Sequence, residues 1–123
     1  MATDWVLDAS IAAKFLLEES DSEEVRVAVQ ALPFGRRLAP HLLRYEVGNA
    51  CLKRAAKGFE PLLDRLVEGL ELVEPKQIAR FTPELSYYDA AYLALADERG
   101  AGLLTVDEKL RKAAKLHGIE VAP

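Results

Sequence analysis

Apolar positions along the chain follow two periods. Short apolar runs alternate with stretches in which apolar residues recur every three or four positions, the pattern of a parallel sheet with helices between its strands. WVLDA (5–9) reads as a first strand, and Ser10 is placed to cap a short helix with Ile11, Ala12, Phe15 and Leu16 on one side. Val25, Ala28, Val29 and Leu32 mark a second helix, broken by Pro33 and Gly35 before a strand at RLAP (37–40). A long helix follows over 41–57, with Leu43, Val47, Ala50 and Cys51 on its stripe and Gly58 as its stop. A further helix over 61–72 carries Leu62, Leu63, Leu66, Val67 and Leu70, and ELVEP (71–75) is a third strand. Residues 76–85 hold no legible period, and Pro83 limits any helix there. A helix over 87–99 stops at Gly100. A strand GLLTV (102–106), a basic helix over 107–117 and an edge strand GIEVA (118–122) complete the chain. Without a repeat, linker or low-complexity segment, residues 1–123 read as a single α/β domain, helices layered on both sides of a mainly parallel sheet.

Composition adds exclusions. At 50% apolar and 29% charged, the 123 residues are ordinary globular material. No apolar run approaches the roughly 20 residues of a membrane span. The start MATDWVLDAS has no basic-then-apolar signal pattern, so the expected setting is cytoplasmic, with no membrane role. A lone cysteine, Cys51, excludes an internal disulfide and a multi-cysteine zinc site. The net charge of −4 argues against a simple electrostatic nucleic-acid binder. It leaves room for one whose surplus acids gather around metal ions. The acidic cluster Glu18, Glu19, Asp21, Glu23 and Glu24 reads as a solvated turn with acids favoured at a helix N-terminus.

Four other acids hold less ordinary positions. Asp8 closes the first strand, and Asp107 closes GLLTV in the same way. Each can serve as a helix cap, with Thr105 a second capping candidate before the last helix. Asp89 lies three residues after Ser86, the spacing of a capping box, at the start of a nearly wholly apolar helix. Glu46 sits beside the apolar stripe of its helix, in a row with Leu42, Asn49 and Lys53. In an open parallel sheet the carboxyl ends of the strands border the ligand crevice, and the three aspartates would converge on that edge. Carboxylates held close repel one another, and a hard divalent cation removes the repulsion. Oxygen-only ligands favour Mg²⁺ or Mn²⁺, whose work is to activate water and stabilise charge on a phosphoryl group.

The blocks VLDASIAAKFLLEE, APHLLRYEVGNACLKRA and SYYDAAYLALADERGAGLLTVDEKL resemble the three signature blocks of the PIN-domain family, in particular the VapC-type toxins of toxin–antitoxin pairs. The resemblance spans essentially the whole chain. It implies a metal-dependent endoribonuclease acting on RNA, commonly homodimeric and inhibited by a cognate antitoxin. By the same resemblance Asp8, Glu46, Asp89 and Asp107 are catalytic metal ligands, and the hydroxyls of Ser10 and Thr105 support them. The sequence departs from the pattern at PKQIARFTPEL (75–85), where relatives carry a clear extra helix.

Setting the four site acids aside leaves 16 acidic residues against 16 basic, so the rest of the chain is neutral. Basic residues bunch on two helices, with Arg44, Lys53, Arg54 and Lys57 on one and Lys109, Arg111, Lys112 and Lys115 on the other. Among them Lys53, Arg54 and Lys109 are candidates for RNA phosphates, as is Lys14 on the first helix. Tyr45, Tyr87 and Tyr92 could stack on bases or pack in the core. Other chemistries fit less well. A phosphoacceptor receiver domain needs an aspartate at the end of its third strand, where ELVEP offers Glu74, and a D-x-D phosphatase needs an acid where Ser10 stands. A PIN-like fold acting only as a non-catalytic binding or regulatory module would be favoured by a missing carboxylate, and all four are present.

Overall fold

In a computed structural model of the chain, residues 2–33 and 35–123 are described. Five strands form one all-parallel sheet in the order β3-β2-β1-β4-β5. They are β1 (Trp5–Leu7), β2 (Arg37–Ala39), β3 (Glu71–Leu72), β4 (Gly102–Leu104) and β5 (Val121–Ala122). Six helices flank it among the described residues: α1 (Ala9–Leu16), α2 (Ser22–Gln30), α3 (Leu42–Lys53), α4 (Phe59–Glu68), α5 (Tyr87–Arg99) and α6 (Glu108–Leu116).

Successive strand residues point to opposite faces of the sheet. Val6, Leu38 and Leu103 therefore pack with Leu43, Val47 and Cys51 of α3, Leu93 of α5 and Leu110 of α6. Trp5, Leu7 and Leu104 face the other way, against Ile11 of α1 and Val25 and Val29 of α2. Both faces of the central strands are covered, which is why β1 and β4 read as continuous apolar runs. Gly102 lies across from Trp5, and a Cβ there would stand 2.4 Å from the indole ring, so the lack of a side chain lets the tryptophan lie over the neighbouring strand.

The elements match the sequence expectations in kind and order and differ at their ends. The first helix is capped by Asp8, whose side chain accepts from the Ile11 N–H, and Ser10 lies inside its first turn. The third helix stops at Lys53 rather than at residue 57. Ala55 makes the left-handed turn with φ 53°, and Gly58, also left-handed, starts α4 instead of ending α3. That next helix accordingly spans Phe59–Glu68 rather than 61–72. Strands are shorter than their apolar runs because residues beyond the ladder serve as caps and turns. The stretch 75–85 holds a short 3₁₀ helix, Ile78–Phe81, anchored on α5 by buried Phe81 and Leu85. Arg80 pairs with Asp97 at 2.8 Å, and Glu98 accepts from the N–H groups of Lys76 and Gln77.

Candidate active site

Strand order fixes where the site lies. From β1 the chain winds outward through β2 and β3, then returns to the other side of β1 as β4. The order reverses between β1 and β4, and in open parallel sheets the crevice at such a switch point is where ligands bind. Leu7 is in register with Leu104, so Asp8 and the segment Thr105–Asp107 leave the same edge side by side. The Asp8 N–H bonds the Leu104 carbonyl at 3.1 Å.

The two strand ends are tied through side chains. Asp8 is buried, and its Oδ1 accepts from the Ser10 hydroxyl at 2.7 Å and from the Ile11 N–H at 3.0 Å. Its Oδ2 accepts from the hydroxyl of fully buried Thr105. Thr105 Oγ1 in turn accepts from the Asp107 N–H at 3.0 Å, and Ser10 Oγ accepts from the Val106 N–H at 3.1 Å. Asp107 caps α6 by accepting from the Leu110 N–H at 3.1 Å. Asp89 occupies the first turn of α5, where Ser86 Oγ accepts from its N–H at 3.1 Å. The helices α1, α5 and α6 thus begin at this edge, and their exposed N–H groups favour negative charge there.

Glu46 approaches from α3 and accepts a 2.6 Å hydrogen bond from the Tyr92 hydroxyl of α5. The four acids grade from buried Asp8, through half-buried Glu46 and Asp89, to exposed Asp107. Three of them are shifted upward, by burial first and by neighbouring acids second. Burial pushes the Asp8 carboxyl above its usual range despite hydrogen bonds from Ser10, Thr105 and Ile11, and the Asp107 charge pushes it further. Burial also raises Glu46, and Asp89 and Asp8 add to the rise against the Tyr92 hydrogen bond. Asp89 is raised by burial and by Asp107, with Ser86 and Lys109 opposing. Glu46 thus feels two of the other acids, while Asp8 and Asp89 each feel Asp107.

The donor chemistry suits a hard divalent ion. Four carboxylates and two hydroxyls, with neither imidazole nor thiolate among them, are the ligand type of Mg²⁺ or Mn²⁺. The repulsion among the acids is what such an ion relieves. Among the described residues no three His, Cys, Asp or Glu side chains stand together as a finished ligand set; Glu46 is held by Tyr92 and Asp8 is shared among three donors.

The basic candidates divide. Lys109 lies near enough to Asp89 to oppose the rise in its pKa, and Lys53 is exposed at the end of α3. Lys14 is engaged elsewhere, 2.7 Å from Asp21 and 3.3 Å from Glu19, and Arg54 pairs with Glu19 at 2.9 Å. The acidic cluster is thus partly a clasp joining α1, α2 and α3 rather than a solvated turn. Arg111 holds the end of the β4 edge, donating to the carbonyls of Thr105 and Pro123. Tyr92 is buried in the core and closed to base stacking. Its positioning of Glu46 escaped the sequence reading. The available signal was a phenol three residues after Asp89 on a buried helix, where a hydroxyl needs a partner.

The five-stranded parallel sheet with acids at its switch point agrees with the family comparison in fold. The PIN domain pattern matches residues 5–116, and the chain belongs to the PIN-domain family. It is 31% identical over 120 residues to Ribonuclease VapC3 of Pyrobaculum aerophilum, covering 85% of this chain and 90% of that protein. The crystal structure of PAE2754 from Pyrobaculum aerophilum superposes with a TM-score of 0.67 at 24% identity, over 98% of this chain and 90% of the other. That of FitAcB from Neisseria gonorrhoeae gives 0.60 at 16% identity, over 97% and 96%. These two likenesses speak for the fold.

Proposed function

We propose that the chain is a metal-dependent endoribonuclease, the toxin of a toxin–antitoxin pair, hydrolysing RNA phosphodiester bonds at the carboxylate crevice. The observation that carries this reading is the junction of two strand ends, where buried Asp8 is held by Ser10 and Thr105 beside Asp107. Asp89 and Glu46 lie near enough for charges to interact between acids from four separate parts of the fold. Keeping four mutually repelling acids at one edge costs stability, and that cost suits a site built to hold a cation. The relative named Ribonuclease VapC3 supports the activity.

Asp8, Glu46, Asp89 and Asp107 would hold Mg²⁺ or Mn²⁺, which when bound supplies activation of water and neutralisation of charge building on the phosphoryl group. The remaining work belongs to side chains of the chain itself. Thr105 and Ser10 lock the Asp8 carboxylate between the two strand ends, so its position follows the rigid sheet. Tyr92 fixes the Glu46 rotamer from the opposite helix. The N-termini of α1, α5 and α6 add positive potential for a phosphate, with Lys109 beside Asp89 and Lys53 further along α3 as cationic contacts. Outside the crevice, a cognate antitoxin, a homodimer and a cytoplasmic setting complete the reading. No helix among the described residues is long and apolar enough to cross a membrane.

The test is cleavage of a mixed RNA substrate by purified protein in Mn²⁺ and in EDTA, with Asp8→Asn alongside. Cutting should require both the metal and Asp8. Equal cutting by Asp8→Asn and the parent would remove the four-acid site from the account.

A further inference from the structure

The crevice has a neighbour. Beside Glu46 lies an open groove of about 470 Å³ lined by Leu42, Tyr45, Glu46, Asn49 and Tyr88. Its two tyrosines come from different helices, Tyr45 from α3 and Tyr88 from the first turn of α5, one residue before Asp89. Both are largely uncovered, at 74% and 64% exposure, more than the intermediate burial usual for tyrosine. The groove and the carboxylate crevice share Glu46, so whatever enters one lies next to the other.

We propose that this groove is a nucleobase subsite, taking one unpaired base of the RNA strand next to the phosphate being cut. This inference rests on the ribonuclease reading and adds where the strand is gripped. The lining selects the occupant by its chemistry. It contains no cationic side chain, and its one carboxylate, Glu46, is turned to Tyr92 and the carboxylate crevice, so a phosphate or an acidic peptide segment finds no partner within the groove itself. A neutral aromatic ring needs no such partner, and a tyrosine face stacks on any of the four bases. Asn49 supplies an amide that can both donate to and accept from a base edge. Lys53 follows Asn49 one turn along α3, where the next phosphate of a strand leaving the groove would pass. The aromatic grip and the cutting site are thus carried by adjacent residues, Tyr45 with Glu46 and Tyr88 with Asp89.

Fluorescence anisotropy of a labelled hexauridylate, with Ca²⁺ replacing Mn²⁺ and strand integrity checked on a gel, tests the subsite apart from the chemistry. Tyr45→Ala and Tyr88→Ala should each weaken binding about tenfold, Tyr45→Phe should stay within about twofold, and Tyr87→Ala, exposed but outside the groove, should bind as the parent does. Replacing one uridine with an abasic residue should cost the parent more affinity than it costs Tyr45→Ala. Unchanged binding in both alanine variants, or no binding of the hexamer by the folded parent, overturns the subsite. So does a change in sedimentation without a change in RNA affinity, which would assign the groove to a second copy of the chain. The nuclease reading fails separately, if metal-dependent cutting survives Asp8→Asn.

Discussion

Replacing Thr105 with valine keeps the shape of the side chain and deletes one oxygen. Thr105 is fully buried, so the change opens no cavity and the cost falls on its hydrogen-bond partners. The Asp8 Oδ2 atom loses its donor, and the Asp107 N–H loses its acceptor. A hydrogen bond to a charged group contributes about 1.5–3 kcal/mol, and the second, partly solvated one about 1 kcal/mol, so the loss should be about 3 kcal/mol. With an unfolding entropy of about 0.26 kcal/mol/K for a chain of this length, the midpoint should fall by about 12 °C. Thr105→Ser keeps the hydroxyl and should lose only about 1 kcal/mol for its missing methyl. The assay is thermal unfolding of parent, Ser and Val forms at neutral pH without metal, treated as two-state. The Val deficit should narrow in acid, because protonating the raised Asp8 carboxyl removes the charge that the hydroxyl stabilises. A valine variant as stable as the parent at neutral pH, or a serine variant less stable than the valine one, would refute the reasoning.

Three further outcomes follow from the same geometry. Tyr92→Phe removes the donor to Glu46 while keeping the ring in the core. It should weaken Mn²⁺ binding about tenfold, measured by calorimetry, with a shift in urea midpoint equivalent to about 2 kcal/mol. Asp8, Glu46 and Asp89 all have folded pKa values above their unfolded ones, so their contribution to stability is full below the ordinary carboxyl range and is lost as pH rises through the raised values. Metal-free Asp8→Asn should therefore unfold at a higher temperature than the parent at pH 7.5, with the advantage gone near pH 4. Added Mn²⁺ should stabilise the parent alone. Gly102→Ala would drive a Cβ into the Trp5 ring and shift β1, the strand that ends at Asp8. It should cost about 1–3 kcal/mol in denaturant unfolding and lower cleavage as well.

The fold is legible in the sequence because its patterns are local, and so are the places of Asp8 and Asp107 at strand ends and of Asp89 at a helix start. Strand runs buried on both faces stay apolar, helices keep their period, and a strand-end aspartate stands out against either. The unread parts depend on partners far along the chain. Tyr92 reaches Glu46 across 46 positions, and Lys14 turns to Glu19 and Asp21 on the next helix rather than to the crevice. Asp8 and Ser10 both suit a cap by residue type, and Asp8, two residues earlier, takes the Ile11 N–H. The end of α3 was placed at Gly58 because glycine tolerates a left-handed backbone; Ala55 takes that conformation first, and Gly58 repeats it to launch α4. The stretch 75–85 has no period because it is one turn of 3₁₀ helix, held by Phe81, Arg80 and Glu98.

The claim that the four acids act as one metal site is tested most directly by calorimetric Mn²⁺ titration of the parent and of Asp8→Asn, Glu46→Gln, Asp89→Asn and Asp107→Asn. The account predicts saturable binding by the parent and strongly reduced binding in every variant, all of them folded by circular dichroism. Binding that survives at least two of the four substitutions unchanged, or its absence in the folded parent at millimolar Mn²⁺, would contradict it.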